Sequence, residues 1–163
     1  MTYLIIAVVV LYLVGTITWV MPSRRDKKQA AMRARAKQLG LQLQYKTKEL
    51  PRGLDRGYGA VAYMQYIQPR PQPLEGATVL KLLRIPEEEG QIPGWTVSGA
   101  FMDEFLAPFE AVLAGFPADV FGVLVGPGAV AIEWQEKGDL DDIERIYNGL
   151  SRLLTLPLVE LER

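Results

Sequence analysis

Val120-Phe-Gly-Val-Leu-Val-Gly-Pro-Gly-Ala-Val-Ala-Ile-Glu-Trp134 is the stretch on which the fold turns. Two runs rich in β-branched and apolar residues, 120–125 and 129–134, flank Gly126-Pro127-Gly128, a combination that punctuates a turn. The two runs read as a β-hairpin. Gly126-Pro-Gly-Ala-Val-Ala131 also fits the loose dinucleotide pattern G-x-G-x-x-A. That pattern needs a helix to begin at once, so that its N-terminus faces a pyrophosphate. Val130, Ile132 and Trp134 instead alternate with period two, as strand residues do, so a tight turn is the reading.

Downstream, Leu140, Ile143, Ile146, Tyr147, Leu150, Leu153 and Leu154 make the apolar stripe of a closing helix that Pro157 stops. Asp139 sits at its N-cap position, and Asp142 three residues on completes the pattern of a capping box. Asp139, Asp141, Asp142 and Glu144 could also attract a hard cation, but their spacing is not that of a calcium loop, and capping explains them.

Upstream, residues 41–45 alternate, residues 61–67 are rich in aromatic and β-branched side chains, residues 78–85 form a third strand, and residues 95–98 a short fourth. Residues 51–57 and 69–73 read as loops from their Pro and Gly content, and Glu87-Glu-Glu89 as a solvated charge run. Residues 103–115 read as a helix with Phe105, Phe109, Val112 and Leu113 on one face and Asp103 and Glu104 as first-turn acids. Pro108 either begins that helix or kinks it. Trp95, Phe101, Phe105, Phe109, Phe116 and Phe121 are assigned to core packing. The pattern predicts an α+β domain over residues 41–163, a mostly antiparallel sheet with two helices on one face.

Residues 24–39 are strong helix formers ending at Gly40, a suitable C′ residue, and make a basic juxtamembrane helix or stalk within residues 22–40. Before it, residues 1–21 carry no charged side chain. Residues 3–20 would extend about 27 Å as a helix, near the thickness of a hydrocarbon core, with Tyr3 and Trp19 where interfacial aromatics belong. A cleaved signal peptide would need a basic start and a small-residue processing site, and Trp19-Val-Met-Pro22 supplies neither. The expectation is a single N-terminal transmembrane helix. Arg24, Arg25, Lys27, Lys28, Arg33, Arg35 and Lys37 follow it against one acid, Asp26. They would hold the later chain on the cytoplasmic side, and they are candidate membrane-surface contacts with anionic lipid.

From residue 38 onward the chain holds 11 bases and 18 acids, an acidic balance that argues against nucleic-acid binding. There is no Cys and no His, which removes disulfides, Cys/His zinc sites, thiol nucleophiles and every Ser-His dyad. Ser23, Ser98 and Ser151 are the chain's three serines, so covalent serine catalysis has little material and any enzyme would rest on carboxylates, Lys or Tyr. No catalytic constellation, cofactor site or metal site is predicted, and the chain does not read as an enzyme.

An apolar segment followed by Met21-Pro-Ser-Arg-Arg-Asp-Lys-Lys28 resembles the organisation of the YajC family, small single-pass auxiliary proteins of the bacterial Sec translocon. The Pro and the bases match that family's Arg-Pro-Gln-type stretch and the Gln pair does not. The likeness covers the N-terminal quarter and implies a bacterial inner-membrane protein with its N-terminus outside and its C-terminal domain cytoplasmic. The functional expectation is an accessory or assembly factor that binds another membrane protein or complex. The alternative is a membrane-tethered domain that senses or binds a small ligand.

Overall fold

The computed structural model describes residues 2–20, 23–49, 60–74, 79–85, 92–98 and 107–156. The hairpin is formed by β5 (Val120–Val125) and β6 (Ala129–Trp134), and the Gly126 amide donates to the Ala129 carbonyl at 2.9 Å to close its turn. Four further strands extend the hairpin on both sides: β1 (Gln42–Glu49), β2 (Ala60–Pro69), β3 (Leu80–Arg84) and β4 (Trp95–Ser98). The six-stranded order is β1-β2-β6-β5-β3-β4, with every neighbouring pair antiparallel.

Register explains why the sheet has one strongly apolar face. Leu43, Tyr66, Ile132, Val123, Leu82 and Val97 lie opposite one another in turn across all six strands. The four inner members of this row are fully buried. One residue along, the row on the other face reads Gln44, Gln65, Glu133, Gly122, Leu83 and Thr96. A Cβ on Gly122 would meet Glu133 Oε2 at 2.4 Å, so the glutamate needs glycine opposite it.

Three helices line the apolar face: α2 (Arg24–Gln38), α3 (Ala107–Leu113) and α4 (Leu140–Thr155). α4 is central, touching β6, α2 and α3. It turns Ile143, Ile146, Leu150 and Leu153 inward, each fully buried, and removing four such side chains from water is worth several kcal/mol. Asp139 caps α4 by accepting from the amides of Asp141 (3.1 Å) and Asp142 (3.4 Å), while its own amide donates to Asp142 Oδ2 at 2.9 Å. The expected capping box is therefore present. Arg70 ties the layers together, donating to the Gly126 carbonyl in the hairpin turn and to the Leu154 carbonyl at the end of α4.

Sheet, hairpin and closing helix agree with the sequence reading. Pro108 occupies the first turn of α3, where its missing N–H costs nothing. The helical layer has one more member than expected. α2 is no free stalk; it packs on β1 and α4, with Met32 and Ala36 fully buried. The tracts at 51–57, 87–89 and 101–106, and the tail after 156, lie outside the described residues.

The transmembrane expectation is corrected. Residues 2–20 do form a helix, α1 (Thr2–Val20), but among the described residues no helix is long and apolar enough to cross a membrane.

Candidate functional site

α1 and the first turns of α2 form the most conspicuous surface of the described chain. From Tyr3 to Tyr12 every residue is exposed, and the large apolar ones range from 50% for Val9 to 88% for Tyr3. Among the described residues nothing covers this apolar surface, and an exposed apolar patch of this kind marks an interaction site. Ser23 and Asp26 then cap α2 reciprocally: the Asp26 amide donates to Ser23 Oγ at 3.1 Å, and the Ser23 amide donates to Asp26 Oδ2 at 3.0 Å. The Ser23 hydroxyl and amide bonds hold the Asp26 carboxyl below the usual carboxylate range. Asp26 is the acid among the bases, and it is committed to the cap.

The seven bases fall into two groups. Arg24, Arg25, Lys27 and Lys28 are exposed on the first turns of α2, next to α1, and Lys37 is exposed near its end. Arg33 and Arg35 turn toward the domain. Arg33 binds Glu136 with both arms of its guanidinium, Nε at 2.9 Å from Oε1 and Nη2 against Oε2. Arg35 grips Glu144 of α4, Nε lying 2.8 Å from Oε1. These two ion pairs, with Met32 and Ala36, fix α2 to the sheet and to α4.

The Arg33 pair continues inward. The Tyr66 hydroxyl donates to Glu136 Oε1 at 2.7 Å, so one buried carboxylate joins α2, β2 and the segment after β6. Glu136 has φ 55°, left-handed backbone that non-glycine residues seldom adopt. Hydrogen bonding to Glu136 raises the Arg33 guanidinium above its ordinary value. Burial first, then the same carboxylate, pushes the Tyr66 phenol up. On the opposite face, Tyr63 donates to Glu133 Oε1 at 3.1 Å and meets Phe121 edge to face at 5.1 Å. Burial, reinforced by Glu133, pushes its phenol up to about 12.

Sequence reasoning placed the bases but could not divide them, and it passed over Glu136 and Tyr66. Helical periodicity held a usable signal: Met32 and Ala36, four apart within a basic helix, mark an inward face, and Arg33 borders it. Nothing local in the sequence marks Glu136 as left-handed. The Asp139 cluster serves as a cap, Asp142 also pairing with Arg145 at 3.3 Å. Among the described residues no group of three or more acids could hold a metal ion. Gly126 to Gly128 form the hairpin turn, with β6 and not a helix following.

No protein-family model matches the chain, and no curated protein matches it. Among solved structures, the chain is similar to the mycobacterial trehalose monomycolate transport factor A, with 16% identity and a TM-score of 0.48 over 78% of this chain and 95% of that one. At that level of similarity nothing about activity or partners passes from one chain to the other.

Proposed function

We propose that this protein is a binding protein, an accessory factor of a membrane complex that engages its partner through α1 and presents the α2–α4 domain beside it. The observation that carries the reading is the exposure of α1: ten successive residues, 3–12, are all exposed. Apolar surface of that kind is stabilised only by leaving water, at roughly 25 cal/mol per Å². The adjoining exposed bases, Arg24, Arg25, Lys27 and Lys28, suit an anionic lipid surface next to such a partner.

Ile5→Lys combined with Val9→Lys tests it. Both side chains are exposed, so the thermal midpoint of the domain is expected to stay within a degree or two of the parent. Recovery of the membrane complex in a pull-down from native membranes is expected to fall at least tenfold. Equal recovery with both lysines in place would overturn the reading.

A further inference from the structure

A second feature lies at the other end of the sheet. A cavity of about 450 Å³ opens between the β3–β4 hairpin and α3, lined by Arg84, Ile92, Trp95, Glu110 and Leu113 among others. Its size falls in the range of roughly 300–1,000 Å³ common for small-molecule sites. The wall is well fixed: the Trp95 amide donates to the Ile92 carbonyl at 2.9 Å, and the Ile85 amide to the Gly94 carbonyl at 3.1 Å. Gly94 turns the chain there with φ 73°, a conformation that suits glycine.

The cation in this wall is not neutralised by a carboxylate as Arg33 and Arg35 are; like Arg70, it donates to the backbone. Arg33 and Arg35 each hold a carboxylate. Arg84 stacks its guanidinium over the Trp95 ring, 4.7 Å from the centroid, and donates Nη1 to the Pro117 carbonyl at 2.9 Å. Among the described residues it forms no ion pair. A guanidinium has five N–H donors in a fork that matches a carboxylate, so most of its capacity is unused by the described residues. Burial lowers its affinity for its proton, and the charge of Asp119 works against that. A desolvated cation that no carboxylate contacts directly among the described residues is costly, and an anion entering the cavity would relieve that cost. Ile92 and Leu113, both buried apolar residues, offer the ligand's body an apolar bed.

We infer that this cavity binds a small organic anion, a carboxylate on a compact apolar body, with Arg84 receiving the carboxylate and Ile92 and Leu113 the apolar part. Glu110, exposed at the rim, works against the anion and sets a modest affinity. Recognition rests on the charge and on the shape of the bed together, so an uncharged isostere binds poorly. This site is independent of α1 and of the membrane reading.

The test uses the full chain in a non-ionic amphipol, with 2-naphthoate as the probe and 2-naphthamide as its neutral counterpart. The indole N–H resonance of Trp95 is followed by NMR, and that of Trp134, fully buried in the core, reports on the fold. Naphthoate is expected to shift the Trp95 resonance saturably and to bind at least tenfold more tightly than the amide. Arg84→Gln is expected to abolish the shift, and Glu110→Gln to tighten binding a few-fold. Equal binding of acid and amide, or an undiminished shift in Arg84→Gln with the Trp134 resonance in place, would overturn the proposal. Should Arg84→Gln lose the Trp134 resonance, Glu110→Gln decides: acid binding unchanged or weaker there overturns it.

Discussion

The Arg33–Glu136–Tyr66 group concentrates much consequence in three side chains. Glu136 is buried, and its carboxylate is satisfied from two sides. Arg33→Met would leave that charge with the Tyr66 hydroxyl alone. Removing one partner of a fully buried pair costs about 3–5 kcal/mol, but the Arg33 side chain is 37% exposed, so water can replace part of it. A loss of about 2 kcal/mol is expected, read as a lower urea midpoint with an unchanged slope. Arg24→Met, two turns earlier and exposed, is expected to leave the midpoint unmoved. At this scale the sequence showed which residues are charged but not which charges meet. Arg33 and Glu136 are 103 positions apart, and no local pattern encodes such a pairing. Arg84 was more legible than it looked. Leu80, Leu82 and Arg84 alternate in phase, which puts an arginine on the strand face that otherwise carries core residues.

Among the elements, α4 is the most sensitive to change. Its stripe and its cap are local features, which is why the sequence specified both. One of its tightest fits is not local. A Cβ on Gly149 would lie 2.4 Å from Cε1 of Phe116, so the ring just after α3 fits into the notch that glycine leaves. Overpacking of a tight core costs about 1–3 kcal/mol. Gly149→Ala is therefore expected to lower stability by that amount despite alanine's better helix propensity, and Phe116→Leu in the same chain is expected to restore most of it. Thermal unfolding of the two variants and their combination would show the coupling. α2 makes the same point in reverse. Its helical propensity was plain, but its docking was not, since one methionine and one alanine facing inward among seven bases look like a solvated helix until the pairs to Glu136 and Glu144 are seen.

For the whole molecule, the two buried phenols set an alkaline limit. Tyr63 and Tyr66 keep their protons in the fold beyond the point near pH 10 where unfolded tyrosines lose theirs. Their contribution is full below pH 10 and drains as pH rises toward 12, because the unfolded chain then releases protons that the fold retains. Urea midpoints measured from pH 8 to 11.5 are expected to be level at first and then to fall, and the double variant Tyr63→Phe, Tyr66→Phe is expected to fall less steeply. The α+β layering followed from local patterns of strand and helix, whereas the strand order did not. Met64 on β2 pairs with Trp134 on β6, residues 70 positions apart, while β1–β2 and β5–β6 are joined as sequence neighbours. That order has a kinetic consequence. As the chain leaves the ribosome, the inner edge of β2 stays unpaired until β6 has been made, so the sheet closes last at its own centre. Contacts of such long range slow folding, and an interrupted chain ending before β6 would carry an open strand edge ready to pair with another copy.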